Sequence, residues 1–474
     1  MTTDYPARTT MTINLHFHGG ADTVTGSMHL IEVNGARVLR DAGLFQGRRE
    51  DARRINRSFG FNPGDINAVL LSHAHIDHCG NLPSLCAQGY RNPIHATAAT
   101  ARIAEVMLRD SAQIQMQDAA YLNQKTNRKG QPAIDPLYTL ADAEQAISLL
   151  RGHAYHQPVA LAPGIRSTAY EAGHILGAEL SYLELNDGRK TVKLGFAVDL
   201  GRHHLPLIRD PEVMPPVDVL VLESTYGNRL HGPAENARDQ LRAVITRTWA
   251  GGGKVLIPAF ALERAQELIY HISSMMIDGE LEKRPVYLDS PMAAAVTRIF
   301  DQHADYLDEE YHAMREKMTC LMCPPWVKVA ATPDESRRIT AAREPCVVIA
   351  ASGMCEHGRI LHHLKHGIEN PANTVVIVGY QAVHTLGRRL VEGQKEVRIF
   401  GDMFDRNASV DVLDAFSAHA DRKDLIACAA QSGARAVYLV HGEEDAREAL
   451  AEALRTELAV KVYLPRRGET AELT

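Results

Sequence analysis

Six consecutive residues, His73-Ala74-His75-Ile76-Asp77-His78, constrain this chain more than any other stretch. Three imidazoles and one carboxylate follow directly on the apolar run Ile66 to Leu71, which reads as a buried strand. A loop leaving a rigid strand end can aim His73 and His75 at one metal ion and Asp77 and His78 at another. Imidazole nitrogen combined with carboxylate oxygen suits zinc. The alternative, a polar loop with chance histidines, has to place four strong ligands within six positions by accident.

A two-metal site needs about seven or eight ligand atoms, so more must come from distant strand ends. His174 in EAGHILGAE is flanked by Gly173 and Gly177, which permit a close backbone turn. Asp199 ends the run Thr191 to Val198, where a carboxylate can bridge two ions. His441 ends the run Ala436 to Val440, and Val217 to Leu222 runs likewise into Glu223. Singly, His174, Asp199 and His441 each read equally well as a satisfied histidine or a turn aspartate; with the first cluster, and in this order, these three read as ligands. Asp41 in LRDAGLFQG also follows a strand and is expected to orient a ligand histidine from behind. Chemistry at strand ends is the plan of layered α/β proteins.

Between about Arg229 and Gly393 the pattern changes. Strand–loop–helix units follow one another: KVLIPAF with ALERAQELIY, PVYLDS with PMAAAVTRIF, PCVVIAASGM with GRILHHLKH, NTVVIVGYQ with TLGRRLVEG. That alternation predicts a parallel sheet wrapped by helices. It is expected to form an inserted domain over 229–393, with 11–228 and 394–474 making up the other domain. Thr97 to Gln124 predicts one long helix with Met107, Leu108 and Met116 in the core.

Composition limits the rest. The formal charge of −7 leaves no basic tail or arm, so a nucleic-acid partner needs a locally basic surface on an acidic body. No run approaches about 18 apolar residues, so no spanning helix and no membrane partner is expected. The opening MTTDYPARTT lacks the basic start and apolar core of a secretory signal. Seven scattered cysteines fit a reducing cytoplasm better than a disulfide scaffold. Cys320 and Cys323 form a lone CxxC beside Pro324, Pro325 and Trp326, which reads as structural.

HAHIDH, AGHILG, the strand-end Asp199 and the upstream Asp41 resemble, in order, the motifs of the metallo-β-lactamase superfamily. LESTYGNR with Glu223, DAFSAHAD with His419 and LVHGEED with His441 resemble the three motifs of its β-CASP branch. PAFALERAQEL, LDSPMA, ASGM, GRILHHL and GYQ resemble the domain which that branch inserts. From HFHGGADTVTGS to PRRGET the chain is similar to bacterial and archaeal homologues of the endonuclease subunit of the cleavage and polyadenylation specificity factor.

The resemblance implies an α/β protein: a four-layer αββα metallo-β-lactamase fold with an inserted parallel-sheet α/β β-CASP domain. It implies two zinc ions, one on His73, His75 and His174, the other on Asp77, His78 and His441, with Asp199 bridging. It implies a ribonuclease acting on single-stranded RNA in cytoplasmic RNA processing or decay. Hydroxide activated by the two metals would leave 5′-phosphate and 3′-hydroxyl ends. His419 is the expected general acid, Glu223 orients its ring, and Asp77 completes the catalytic set. RNA phosphates are expected at Ser352, Gly353, Thr385, Arg388 and Arg389, with an exposed helix face equally open for the two arginines. Tyr226 is expected to pack rather than stack on a base. The chain departs from the family pattern at Ala197-Val198, Glu356-His357 and Val383-His384. Those departures bear on RNA contacts and substrate preference, not on the ligands. A homo-oligomer is compatible with this reading.

Two rival readings differ in what they require. A small-molecule metallo-hydrolase of thioesterase or lactonase type needs the seven ligands but neither Glu223, His419 nor so large an insertion. A non-catalytic scaffold subunit of an RNA-processing complex would have shed ligands that are all present here.

Overall fold

Burial alternates along Ile13–Gly19, with Ile13, Leu15 and Phe17 turned inward, and this period of two makes a half-buried strand. The computed structural model describes residues 12–47, 49–125, 133–232, 236–379, 381, 384–413 and 416–474. Met11, the expected start of the first domain, and Tyr380 and Val383 of the motifs lie outside these residues. The chain divides into two units. One comprises the residues up to His203, Asp210–Leu230 and His419–Thr474; the other comprises His204–Arg209 and His231–Ala418.

The first unit holds two seven-stranded sheets. The first runs, in order, Thr470–Glu472, Ile13–Gly19, Met28–Val33, Ala36–Arg40, Ala68–Leu70, Ile94–Thr97, Leu150–His153. The second runs Lys461–Tyr463, Ala436–Val440, Val219–Glu223, Thr191–Ala197, Glu179–Asn186, Ile165–Glu171, Val159–Ala162. Their inner faces share one core: Leu15, Phe17, Ile31 and Leu70 from one meet Leu183, Leu194, Phe196 and Val221 from the other. Helix Ala98–Lys125 lies on the first sheet, and Arg422–Ser432 and Glu444–Leu458 lie on the second. The layers are therefore αββα, as expected.

Parallel pairing gathers the loops that matter. Thr191–Ala197, Val219–Glu223 and Ala436–Val440 are parallel neighbours, so Asp199, Glu223 and His441 leave the second sheet at one edge. Ala36–Arg40 and Ala68–Leu70 are also parallel, and they bring Asp41 beside the His73 loop.

The second unit carries a six-stranded sheet in the order Val327–Val329, Val286–Asp289, Val347–Ala350, Val255–Pro258, Thr374–Ile377, Ser409–Val412. Every pairing in it is parallel. Near-continuous apolar strands such as Val347–Ala350, buried throughout, are what a sheet covered on both faces requires. This unit runs on to Ala418, past the motif-based boundary at 393, because Ser409–Val412 pairs with Thr374–Ile377. Cys320 and Cys323 are joined by a disulfide just beyond helix Glu309–Met318, and the other five cysteines are free.

The long helix expected over Thr97 to Gln124 is found at Ala98–Lys125, but its core assignment needs correction. Leu108 is fully buried, Met107 is half-buried and Met116 is exposed. A 28-residue helix is about 42 Å long, whereas the four-residue strands beneath it span about 13 Å. The C-terminal half therefore overhangs the sheet. Among the described residues, no helix is long and apolar enough to cross a membrane.

Phe196, fully buried where the two sheets meet, tests that core. Phe196→Ala should destabilise the first unit by about 3–5 kcal/mol, read as a lowered urea midpoint. A loss below about 1 kcal/mol would show that the sheets do not depend on this contact.

Candidate metal centre

The loop after Ala68–Leu70 turns at once into the short helix Ile76–Cys79, with His75 as its N-cap. That turn splits the motif into two ligand directions. His73 Nε2 lies 3.1 Å from His75 Nδ1, and His75 Nδ1 lies 3.2 Å from His174 Nε2. Asp199 Oδ2 is 3.2 Å from His73 Nε2 and 3.5 Å from His174 Nε2. Ligands about 2.0–2.1 Å from a tetrahedral zinc sit about 3.3–3.4 Å apart, so these four atoms have the right spacing.

The second group is Asp77, His78 and His441. Asp77 Oδ2 is 3.9 Å from His78 Nε2 and 3.5 Å from His441 Nε2. Asp199 Oδ2 also approaches His78 Nε2 at 3.4 Å, so one carboxylate faces both groups. The buried Nε2 atoms of His78 and His441 and Oδ1 of Asp199 have no hydrogen-bond partner. Buried polar atoms are nearly always satisfied, so orphans converging in this way fit a cation.

Protonation favours ligation at His75 and His174 and opposes it at His78 until a cation displaces the proton. Burial, reinforced by neighbouring His73, lowers the pKa of His75 to about 3. Burial and then His419 hold His174 well below the ordinary value. Burial also opposes charge on His78, but the carboxylates of Asp199 and Asp41 outweigh it and push its pKa up.

Asp41 organises the site from behind. Its Oδ2 accepts from His78 Nδ1 at 2.8 Å and from Ser72 Oγ at 2.9 Å. Its Oδ1 accepts from Arg40 Nη1 and from the Ser72 amide, both at 2.7 Å. Ser72 Oγ also lies 2.9 Å from His73 Nδ1. With Nδ1 of both histidines occupied, Nε2 is the atom presented to a metal. Sequence reasoning found Asp41 but missed Arg40 and Ser72, whose only signal was standing next to Asp41 and His73. It also missed Thr225, whose Oγ1 is 3.3 Å from His441 Nδ1.

Three residues here adopt left-handed backbone: Asp41 (φ 62°), Asp199 (φ 60°) and His441 (φ 50°). Such conformations cost on the order of 1–3 kcal/mol each and persist only where surroundings over-determine them. Close approach of backbone marks the same place, since a Cβ at Gly43 would lie 1.5 Å from the Asp77 carbonyl oxygen. The absence of a side chain lets the Asp41 segment lie flat against the ligand loop.

His419 stands beside the first ligand group, its ring 4.6 Å from that of His174. Its Nδ1 lies 3.2 and 3.3 Å from the two oxygens of Glu223. Glu223 is wholly buried and is held by the Leu200 amide at 2.6 Å. Burial works against charge on His419, yet Glu223 outweighs it and raises the pKa to about 9. Tyr226 has its ring 6.1 Å from that of His419 and is half-buried.

The expected RNA contacts belong to the second unit. Ser352 Oγ accepts from the amides of Glu356 and His357, so it braces its own loop, and Gly353 lies under the Phe260 ring. Thr385 Oγ1 accepts from the Arg388 amide and caps helix Leu386–Val391. Arg388 pairs with Glu392 at 2.7 Å, and Arg389 donates to the His384 carbonyl. Glu356, one of the departures from the family pattern, accepts from the Leu386 amide and ties the two loops together.

Three known domains match in succession. They are the metallo-beta-lactamase superfamily over 21–140, the Beta-Casp domain over 265–390, and the Zn-dependent metallo-hydrolase RNA specificity domain over 404–465. The chain is 37% identical over 452 residues to Ribonuclease TTHA0252 of Thermus thermophilus, covering 95% of this chain and 98% of that protein. It is 31% identical over 468 residues to Transcription termination factor FttA of Methanocaldococcus jannaschii, covering 96% and 70% respectively. An RNase J-like protein of the same organism is 30% identical over 459 residues, covering 96% and 98%. A solved protein of unknown function from Enterococcus faecalis shares the fold, with a TM-score of 0.54 at 13% identity, covering 98% of this chain and 100% of that one.

Asp41→Ala removes the acceptor that aligns His78 and the brace behind His73. Metal affinity should fall about 10–100-fold, measured by competition with a chromophoric chelator. Unchanged affinity would mean that the ligands hold their orientation without Asp41.

Proposed function

The chain belongs to the β-CASP family of the metallo-β-lactamase superfamily, and from that premise we propose that it is a zinc-dependent ribonuclease cutting single-stranded RNA in cytoplasmic RNA processing or decay. The observation that carries this reading is the buried Glu223 carboxylate 3.2 Å from His419 Nδ1, beside the ligand cluster. A hydrolase acting on thioesters or lactones has no need of this extra acid. His73, His75 and His174 would hold one zinc ion, Asp77, His78 and His441 the other, and Asp199 both. Two bound ions would supply Lewis-acid stabilisation to a phosphodiester and lower the pKa of water.

The chain's own residues then have distinct tasks. Glu223 occupies Nδ1 of His419, which leaves Nε2 for the substrate. With its side chain 23% exposed, His419 is within reach of an incoming strand. It would protonate the 3′-oxygen as that oxygen leaves, so the products carry 5′-phosphate and 3′-hydroxyl ends. The first unit is assigned to this chemistry, and the insertion, which runs past 393 to Ala418, to RNA contacts through Ser352, Gly353, Thr385, Arg388 and Arg389.

The direct test incubates zinc-loaded protein with end-labelled single-stranded RNA, duplex RNA, DNA and an acyl thioester. Single-stranded RNA should be cut fastest, and the protein should hold about two zinc ions per chain. Equal turnover of the thioester, or one zinc or fewer after loading, would sink the reading.

Proton delivery gives a sharper test. His419→Ala should keep its zinc yet cleave about 10²–10⁴-fold more slowly. RNA with sulfur in place of the bridging 3′-oxygen has a better leaving group and should recover much of that loss. His75→Ala should show no such recovery. Without selective rescue by sulfur, His419 is not the acid.

A further inference from the structure

A ribonuclease must hold a polyanion, yet the chain as a whole is acidic, with a formal charge of −7. One surface of the first unit departs from that balance. The loop before Thr470–Glu472 is pinned on two sides. Arg467 Nε donates to the His18 carbonyl at 2.8 Å, and Phe17 donates its amide to the Glu469 carbonyl at 2.9 Å and accepts from the Gly468 amide at 2.6 Å. From behind, buried Arg447 donates to the Pro465 carbonyl at 2.6 Å. Arg466 and Arg467 are thus presented outward from a fixed backbone, and both are exposed.

Arg54, on helix Arg49–Asn56, is also exposed, and the chain after that helix leads to Phe61, whose ring meets that of His18. Partial burial, and then the neighbouring Arg54 charge, lower the pKa of Arg467, so two guanidiniums repel one another here. Carboxylates oppose this repulsion only in part: Asp22 acts on Arg467 in the opposite sense to Arg54 but more weakly. Arg54 meets Asp51 at 3.3 Å and Arg466 meets Glu444 at 3.8 Å, both exposed pairs of the kind that contribute little. Beside the cations, the His18 ring meets Phe61 edge to face, with centroids 5.0 Å apart. Burial, then His16 and Arg467, lower His18 to about 4, so at neutral pH it is an uncharged ring.

This surface adjoins the metal centre through the backbone. The strand bearing His18 runs into Gly20, whose carbonyl accepts the His441 amide at 2.7 Å, and on to Ser27, whose amide donates to the Asp77 carbonyl at 2.9 Å. Helix Arg49–Asn56 joins the same floor, because Asn56 brackets Phe45 through its amide and carbonyl. Leu44 in turn bonds Ile76 beside the ligands.

We propose that Arg54, Arg466 and Arg467, with the His18–Phe61 ring pair, form a track for single-stranded RNA on the first unit, guanidiniums on phosphates and rings against a base. Cations interleaved with aromatic faces are what unpaired strands bind. A phosphate between Arg54 and Arg467 relieves their repulsion and gains charge-assisted hydrogen bonds. The track rests on the ribonuclease reading for its ligand, but it is tested apart from cleavage.

The experiment follows binding of a short fluorescein-labelled single-stranded RNA by anisotropy across a salt series, on ice, with the RNA checked intact on a gel. The variants are Arg54→Ala, the double variant Arg54→Ala/Arg467→Ala and the double lysine variant Arg54→Lys/Arg467→Lys. Each lost phosphate contact should shrink the slope of log K against log salt by about 0.7, so the double alanine variant should lose about 1.4. Its affinity at low salt should fall on the order of 10-fold, and the lysine variant should keep the wild-type slope. Arg54→Ala disturbs no buried contact and should lose about half as much slope, which guards against misfolding of the double variant.

Unchanged slopes in both alanine variants overturn the track, as does a wild-type protein that binds no RNA. RNA held through these arginines but never cut would sink the ribonuclease reading and leave the track standing. RNA cut normally with unchanged slopes would sink the track alone.

Discussion

The buried pair of Arg40 and Asp41 underlies both halves of the metal centre. The two side chains are each 1% exposed and 2.7 Å apart. Asp41 alone would be a costly charge in the core, and removing one partner of such a pair typically costs about 3–5 kcal/mol. Arg40 neutralises one carboxylate oxygen, which frees the other for Ser72 and His78. Ser72 passes the constraint to His73, so one anion orients a histidine in each of the two candidate ligand groups. The pair lies where two parallel strands leave the first sheet, so sheet packing and ligand direction are fixed by the same atoms.

In front of that support the balance reverses. Three nitrogens and an oxygen crowd within 4.8 Å of one another, with contacts as short as 3.1 Å, and buried atoms on His78, His441 and Asp199 lack partners. Left-handed backbone at Asp41, Asp199 and His441 adds strain to the same place. None of this is favourable in a folded chain by itself. A dense apolar core between the two sheets and a satisfied hydrogen-bond shell behind the ligands hold the arrangement until a cation offsets it.

Much of this was legible in the sequence, because metal ligands are few residue types at strand ends. His73, His75, Asp77, His78, His174, Asp199 and His441 are rare enough in combination that order and spacing point to their grouping. The strand–helix alternation likewise announced the parallel sheet of the second unit. What stayed hidden acts through types that occur everywhere. Ser72, Thr225 and Arg40 look like any serine, threonine or strand-end arginine until the fold brings them within 3.3 Å of a ligand or its carboxylate. Met116 misled because helical spacing says which face is apolar but not how far the sheet beneath extends.

Net charge is the coarsest sequence quantity, and here it pointed away from nucleic acid. A polyanion does not sample net charge. It samples the field within a Debye length, about 8 Å at physiological salt. Arg54 lies far from Arg466 and Arg467 in sequence, and only the pinning of their loop beside His18 sets them close to Arg54. On an acidic body a cationic track gives a direction to binding: the strand is held where cations and rings coincide, on the segment that leads to the loops carrying the ligands. A duplex keeps its bases stacked inward and offers none to the rings, so the same track favours an unpaired strand.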